Sequence, residues 1–273
     1  MQQHSLVSHD GLQIATYHWL NTVSDKHIFV AHGLGEHAQR YQHLAEFWRA
    51  EGYNVHALDH RGHGRSAGER GHVSQWKNFA HDLQQLISQY QGRRFLVAHS
   101  MGGAVAILYQ LLYPGTVQCL ALSGPATDVS LPMPAWKVIS AATLSKIWPT
   151  LVLANEIDPT LVCADPAVVR DYQEDPLVHN KVSARFFSDY LRTIEYIKKQ
   201  VHKIKTPVAI WHGAEDKIVE PWISADLYAR LRCPAKQREV LDGVYHEILF
   251  EKNGLQVAAA MLNWFEQTER KCA

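Results

Sequence analysis

Residues 98–103, with the sequence AHSMGG, contain a serine in a setting that favours nucleophilic chemistry. The apolar run at 95–98 predicts a short buried strand, and a helical pattern follows from Met101. Small residues two positions before and after Ser100 let the chain turn tightly enough to expose its Oγ atom. The first of them is Ala98, where the usual Gly-x-Ser-x-Gly motif has glycine. The alternative interpretation is a serine that only caps the following helix.

A serine hydroxyl becomes a good nucleophile only when a base removes its proton and an acid holds that base in one tautomer. Asp216 follows the predicted strand 208–211, and His246 follows the next predicted strand, 240–241. The chain order Ser100, Asp216, His246 therefore places each residue beyond the carboxyl end of a strand. We expect one edge of the sheet to assemble these three side chains as a catalytic triad.

Other residues compete for the acid and base roles. Glu215 and Asp242 are rival acids, but Asp242 is expected at a strand end, away from the imidazole. The chain has 17 histidines, so a surface role for His246 is the alternative to catalysis. Its position after the last predicted strand favours the catalytic interpretation.

A tetrahedral intermediate also needs two backbone N–H donors where its oxyanion forms. Met101 follows the nucleophile at a helix N-terminus and is expected to supply one. The glycine-bearing loop 32–35, with the sequence HGLG, is expected to supply the other through Leu34. An ordinary turn and a phosphate-binding loop are the alternatives, and the sequence contains no P-loop motif that would support a nucleotide site.

Three histidines close in sequence, His56, His60 and His63, raise the question of a metal site. No cysteine or carboxylate joins them at the spacing of a zinc site. The sequence therefore favours a hydrogen-bonded polar loop, with no metal.

Short β-branched runs alternate with longer helical patterns, which predicts an α/β fold with a mostly parallel central sheet flanked by helices. Strands are expected at 12–19 (half exposed), 27–32, 54–59, 95–98, 117–122, 208–211 and 240–241. Helices are expected around 44–48 before Gly52, at 76–90 with Ser74 as N-cap, and at 101–113, 221–231 and 255–265.

About eighty residues separate the strands 117–122 and 208–211, far more than a usual connection in such a sheet. We therefore expect a core formed by 1–124 and 206–273, and an inserted helical cap at 125–205. Apolar residues are dense in this insertion, beginning at 131–136 and continuing to Leu153, as expected above a site for a lipid chain.

Composition excludes several classes of function. The 273 residues carry 27 Lys and Arg against 27 Asp and Glu, so no basic surface is expected for nucleic acid. The N-terminus has no signal-peptide pattern, and four widely spaced cysteines fit a reducing compartment, which together predict a cytoplasmic protein. The apolar stretch 135–154 contains Lys137, Lys146 and Pro149, so it does not read as a membrane span.

Two further segments join the serine and acid motifs in a family pattern: 32–41 (HGLGEHAQRY) and 59–71 (DHRGHGRSAGERG). With 98–103 and 212–216 (HGAED), they resemble the monoacylglycerol lipase and lysophospholipase branch of the serine α/β-hydrolases. The resemblance spans nearly the whole expected core and implies the α/β-hydrolase fold. It also implies Ser100, Asp216 and His246 as the triad, and no cofactor.

The same resemblance implies a carboxylic ester hydrolase, cytoplasmic or membrane-associated, whose small-molecule substrate is a single-chain acylglycerol. It suggests that Glu36 and Arg40 lie near the polar end of the substrate, with a solvated ion pair between them as the alternative. Outward-facing Trp136 and Trp148 would let the cap rest on a lipid surface. A lysophospholipid, a short ester or a peptide N-terminus are alternative substrates, and a non-catalytic binding protein is the alternative from another class.

Overall fold

The computed structural model of the chain describes residues 1–130, 135–155 and 157–272. The described strands, in chain order, are β1 (Gln2–Val7), β2 (Gln13–Trp19), β3 (Lys26–Ala31), β4 (Asn54–Leu58), β5 (Arg93–His99), β6 (Cys119–Ser123), β7 (Val152–Ala154), β8 (Lys181–Ser183), β9 (Val208–Gly213) and β10 (Lys236–Leu241). Eight of these strands form one sheet, in the order β1-β2-β4-β3-β5-β6-β9-β10. β2 is antiparallel to β1 and β4, and all other pairs in the large sheet are parallel, so the predicted mostly parallel sheet is confirmed.

Helices cover both faces of this sheet. The described α-helices are α1 (Gln42–Ala50), α2 (Lys77–Ile87), α3 (Met101–Leu112), α4 (Ala135–Ile147), α5 (Pro166–Glu174), α6 (Ala184–Gln200), α7 (Pro221–Arg230) and α8 (Gly254–Cys272). Apolar side chains of α2 and α3 pack on one face, and those of α1 and α8 pack on the other. Two hydrophobic cores therefore hold the central strands, which explains why their sequences are continuously apolar.

The register of the parallel strands aligns their carboxyl ends. His99 at the end of β5 is opposite Ser123 of β6, Ser123 is opposite Trp211 of β9, and Gly213 is opposite Leu241 of β10. The loops that follow β5, β9 and β10 consequently leave the sheet at the same edge. This is the edge where ligands bind in open α/β sheets.

Two strands in the first part of the sheet differ from what the sequence indicates. β2 is buried at six of its seven residues, rather than half exposed, because Ile14 packs into one hydrophobic core and Tyr17 into the other. β1, with the polar sequence QQHSLV, was not predicted at all. Its mostly exposed side chains lack the apolar alternation on which a strand prediction depends.

The start of α2 also differs from the expectation that Ser74 caps it. The helix begins at Lys77, and the backbone N–H of Trp76 donates to the carboxylate Oδ2 of Asp189 in α6 at 2.6 Å. Ser74 instead accepts a hydrogen bond from the side chain of Asn78 at 3.1 Å. The cap thus comes from a residue more than one hundred positions away, which local sequence cannot indicate.

Between β6 and β9 lie α4, α5 and α6, as the helical prediction for 125–205 requires, together with the unpredicted antiparallel pair β7 and β8. Phe186 and Ile197 of α6 belong to the hydrophobic core against the sheet, so the exact division into core and cap stays a prediction. Residues 131–134 and the side chain of Trp136 lie outside the described residues. Across the described part of the chain, no helix has both the length and the apolarity needed to cross a membrane.

Candidate active site

Ser100 occupies a strained turn between β5 and α3. Its φ of 52° and ψ of −119° make it the one non-glycine residue with positive φ in the described chain. A Cβ on Gly102 would overlap the carbonyl oxygen of Ala31, and one on Gly103 would approach Pro125 Cβ to 2.7 Å. A residue held in this conformation costs about 1–3 kcal/mol, a strain that recurs at functional sites. The tight strand-turn-helix geometry predicted from the AHSMGG motif is therefore present, and Ala98 is accommodated with its methyl group fully buried.

The structure brings Ser100, His246 and Asp216 together, as the sequence predicts. Ser100 Oγ lies 2.9 Å from Nε2 of His246, and Nδ1 of His246 lies 2.6 Å from Oδ2 of Asp216. The backbone N–H groups of Ile218 and Val219 donate to the other oxygen of Asp216 at 2.9 and 2.8 Å. This arrangement fixes the carboxylate and, through it, the tautomer that leaves Nε2 of His246 free to accept the serine proton.

The charges in this chain of hydrogen bonds reinforce one another. Burial alone would lower the pKa of His246, but the charge of Asp216 and its hydrogen bond, followed by the charges of Glu247 and Glu36, raise it above its ordinary value. Burial acts to raise the pKa of Asp216, but the charge of His246 and hydrogen bonds from His212 and His246 hold it well below its ordinary value. The site therefore favours an ionised aspartate beside a readily protonated imidazole.

The rival acids are placed differently. Glu215 and Asp242 are both exposed to solvent, whereas the side chain of Asp216 is fully buried. The structure thus favours Asp216 as the partner of His246 on geometry as well as on chain order.

The sequence did not indicate that two histidines and a glutamate lie close to Ser100, His246 and Asp216. Nε2 of buried His212 lies 3.2 Å from Oδ2 of Asp216, and the ring of His99 lies 4.7 Å from that of His246. Glu247, directly after His246, is buried and ion-paired. Its position next to a candidate base was the available signal, but nothing in the local sequence indicates its distant partner.

The two expected oxyanion donors lie beside Ser100. Leu34 and Met101 line the same cavity as Ser100, and a Cβ built on Gly33 would lie 3.2 Å from Cβ of Ser100. The loop is held by the backbone N–H of Gly33, which donates to Oε1 of Glu36 at 2.6 Å. The roles of Leu34 and Met101 as donors stay predictions.

Glu36 and Arg40 form the ion pair that the sequence left open, with Arg40 Nη1 2.7 Å from Glu36 Oε2. The pair is not solvated, as the alternative interpretation had it, because both side chains are buried and Arg40 also pairs with Glu247. Among the described residues that line the cavity, neither Glu36 nor Arg40 appears. Their contact with the polar end of a substrate stays a prediction.

The cavity at Ser100 has a volume of about 1010 Å³ and lies between the sheet edge and the insertion. Its lining is largely apolar and includes Met101, Leu144, Leu161, Phe187, Tyr190 and Ile218. Ligand pockets typically enclose about 300–1,000 Å³, so this one is large enough for a molecule with an extended apolar chain.

The rings of His56 and His63 form hydrogen bonds, whereas neither ring nitrogen of buried His60 has a hydrogen-bond partner among the described residues. His56 lies in a hydrogen-bonded chain with His18 and His27, each contact being 2.9 Å. The backbone N–H of His60 donates to the ring of His32 at 2.8 Å, and His63 Nδ1 contacts the carbonyl of Arg61. Within the described ranges, no group of three or more histidine, cysteine or acidic side chains is arranged to hold a metal ion.

Comparison with known proteins defines the class of protein to which this chain belongs. The family model described as serine aminopeptidase, S33, matches residues 22–253. A monoacylglycerol lipase of Mycolicibacterium smegmatis is 31% identical over 96% of both chains, and human monoglyceride lipase is 31% identical over 88% of this chain and 82% of its own. The crystal structure of Paleococcus ferrophilus monoacylglycerol lipase superposes with a TM-score of 0.86 at 32% identity, covering 94% of this chain and 99% of that one.

The fold and the matches define an α/β-hydrolase. The chain belongs to the matched serine hydrolase family, in its monoacylglycerol lipase-like branch. It is an enzyme of the carboxylic ester hydrolase class.

Proposed function

We propose that the protein hydrolyses monoacylglycerol to glycerol and a free fatty acid, with Ser100, His246 and Asp216 as its catalytic triad. The observation that carries this proposal is the hydrogen-bonded chain from Ser100 Oγ through His246 to Asp216, which opens onto a large apolar cavity. A base that is oriented by an acid and contacts a serine is the arrangement that activates such a nucleophile.

In the first half of the reaction, Ser100 Oγ attacks the ester carbonyl and its proton passes to Nε2 of His246. The oxyanion of the tetrahedral intermediate accepts hydrogen bonds from the backbone N–H groups of Leu34 and Met101, and such donors are typically worth 10²–10³-fold in rate. Asp216 stabilises the imidazolium. His246 then gives its proton to the alkoxide, glycerol leaves, and the acyl group remains bonded to Ser100.

In the second half, water enters the place that glycerol vacated. His246 accepts a proton from this water, hydroxide attacks the acyl carbonyl, and a second tetrahedral intermediate forms at the same oxyanion donors. Its collapse releases the fatty acid, and the proton held by His246 returns to Ser100 Oγ. The cycle uses no metal or organic cofactor.

The apolar cavity supports a single-chain lipid as the substrate. Leu144, Phe187 and Ile218 offer surface for an alkyl chain, and each buried methylene is worth about 0.8 kcal/mol. The similarity to monoacylglycerol lipases of Mycolicibacterium smegmatis, human and Paleococcus ferrophilus supports glycerol as the alcohol. A lysophospholipid places the same chain in the cavity, so it belongs in the substrate panel.

A lipid surface is the proposed source of the substrate, since the insertion presents apolar side chains to solvent. Ile139, Ile147, Trp148 and Leu153 are 64%, 77%, 59% and 60% exposed. Burying such a surface in the headgroup region would deliver a monoacylglycerol to the cavity. A cytoplasmic location with peripheral membrane contact is part of this proposal.

The test is a hydrolysis panel with wild-type protein, Ser100→Ala and the exposed control Ser88→Ala. The panel contains monoacylglycerols of increasing chain length, diacylglycerol, lysophospholipid, p-nitrophenyl esters and aminoacyl amides. We expect monoacylglycerols to have the highest kcat/KM, and Ser100→Ala to retain only about 10³-fold acceleration over water. Near-normal turnover by Ser100→Ala would contradict the proposed nucleophile, and a preference for lysophospholipid would change the proposed substrate.

A further inference from the structure

A buried ion cluster of Glu36, Arg40 and Glu247 lies next to the triad. Arg40 Nη1 donates to Glu36 Oε2 at 2.7 Å and to Glu247 Oε1 at 2.6 Å, and Arg40 Nη2 donates to Glu247 Oε2 at 2.7 Å. The side chains are 2%, 9% and 3% exposed, respectively. Burying three charged groups removes much of their hydration, and this desolvation costs free energy. A contribution to stability is therefore a weak explanation for such a cluster.

The cluster connects the loop that carries Leu34 to the loop that carries His246, and the proposed reaction needs both loops correctly placed relative to each other. Glu36 Oε1 accepts the backbone N–H of Gly33, directly before Leu34, and the hydroxyl of Tyr41 at 2.8 Å. Glu247 directly follows His246. The planar guanidinium of Arg40 contacts both carboxylates at once, one of them through two parallel hydrogen bonds, a geometry that lysine cannot reproduce.

Aromatic rings and the insertion enclose the same guanidinium. Its carbon lies 4.8 Å from the ring centre of Tyr172 in α5 and 4.5 Å from that of Phe250. The backbone N–H of Glu247 donates to the carbonyl of Val162 in the insertion at 2.7 Å. Arg40 therefore has little freedom to leave its two carboxylates.

The cluster places two carboxyl groups and one guanidinium beside His246. Burial acts to raise the pKa of Glu36, but Arg40, followed by His99 and His32, lowers it to about 2, so Glu36 is ionised at neutral pH. Burial raises the pKa of Glu247 against the opposing effect of Arg40. The charged or titratable groups that face His246 are Asp216, Glu247, Glu36 and His99, with His212 behind Asp216.

We propose that Arg40 and Glu247 are positioning residues. They hold the loop that carries Leu34 against the loop of His246 and place negative charge where the imidazolium forms. This inference rests on the proposed function. It assigns to the cluster an effect on the proton of His246 that a purely structural ion pair would not have.

The test compares Glu247→Gln with Glu215→Gln, an exposed charge neutralisation next to Asp216. Glutamine keeps an acceptor for Arg40 but removes the charge. The acid limb of the pH profile of kcat/KM should therefore move to lower pH, and kcat should fall about tenfold. Glu215→Gln should leave the limb in place, because water screens an exposed charge. An unmoved limb and unchanged kcat in Glu247→Gln would overturn the inference.

Arg40→Lys separates geometry from charge. Lysine keeps the positive charge but loses the fork, so kcat should fall about tenfold or more while KM and the acid limb stay near wild type. Wild-type kcat in this variant would overturn the positioning role. If Glu247→Gln does not fold, Glu36→Gln removes the other carboxylate charge and should move the limb in the same direction, and an unmoved limb there would overturn the inference.

Direct titration keeps this inference distinct from the proposed function. The imidazole of His246 is followed by NMR in histidine-labelled protein, with its signal assigned by its loss in His246→Asn. A lower imidazole pKa in folded Glu247→Gln supports the charge effect without any turnover, and an unchanged one overturns it. Failure of the wild type to hydrolyse any ester would instead overturn the proposed function.

Discussion

Two parts of the insertion differ in what they contact. We call residues 158–180 the docked half and residues 135–155 the outer half. The docked half bonds to the loop after β3: His37 pairs with Asp175 at 2.8 Å, and the backbone N–H of His179 donates to the carbonyl of Gly35 at 2.8 Å. The outer half presents Ile147 and Trp148 to solvent.

From this difference in contacts we infer different roles for the two halves. Because the docked half contacts the loop that carries Leu34, a change in its position would alter the proposed oxyanion site directly. The outer half lines the cavity through Leu144 and Leu153. We therefore expect the docked half to control the rate of the chemical step, and the outer half to control access of the substrate.

The largest effect should come from Gly35→Ala. Gly35 has a φ of 78°, and an added Cβ would overlap the carbonyl oxygen of His179. Gly115 has a φ of 75° but open space around it, so Gly115→Ala carries the backbone strain without the overlap. We expect Gly115→Ala to cost about 1 kcal/mol in stability with normal activity, and Gly35→Ala to lose about 10²-fold in kcat. Equal behaviour of the two variants in denaturant titration and ester turnover would remove the proposed role of docking.

A smaller effect should follow from the double variant Ile147→Ser, Trp148→Ser in the outer half. Exposed side chains contribute little to folding, so the melting temperature should change little. Turnover of monoacylglycerol in lipid vesicles should fall about tenfold, because less apolar surface is available for the interface. Hydrolysis of a water-soluble p-nitrophenyl ester serves as the control and should be unchanged. An equal loss on both substrates would contradict the division of tasks.

The smallest effect should come from Asp175→Asn. Burial acts to raise the pKa of Asp175, but hydrogen bonds from His37 and Leu177 lower it below its ordinary value. A lowered carboxyl pKa means that the stabilisation is present above about pH 4 and is lost as the pH falls below it. We expect the free energy of unfolding to fall by about 1 kcal/mol near pH 6, a modest loss because solvent partly screens the pair. In acid this loss should disappear.

The neighbouring exposed residue Glu174 provides the control for that measurement. Glu174→Gln changes the net charge equally and should leave the free energy of unfolding within about 0.5 kcal/mol of wild type at every pH. A pH-independent loss in Asp175→Asn would show that its charge is not what fastens the docked half.

Much of the fold and site could be predicted because the signals are local. Ser100 and Asp216 follow the buried apolar strands β5 and β9, and His246 follows β10, so parallel pairing brings all three to one edge. Strand and helix positions in the core were accordingly close to those observed. The family motifs added the ester hydrolase class, which the comparisons confirm.

What escaped prediction depends on residues distant in sequence. Asp189 caps α2, and Glu247 completes the cluster with Arg40, which lies more than two hundred positions earlier. β10 extends further than its apolar end at Val240 and Leu241 indicates, because its first residues are polar and lie at the sheet edge. Single-sequence patterns carry no information about such partners.

Covalent labelling reports directly on the reactivity of Ser100. Wild-type protein and Ser100→Ala are treated with a fluorophosphonate at neutral pH, digested and analysed by mass spectrometry. An activated serine reacts with this probe, so we expect one adduct, on the wild-type peptide that contains Ser100, and none in the variant. Absence of an adduct, or an adduct on a different serine, would contradict the assignment of Ser100, His246 and Asp216 as the catalytic triad.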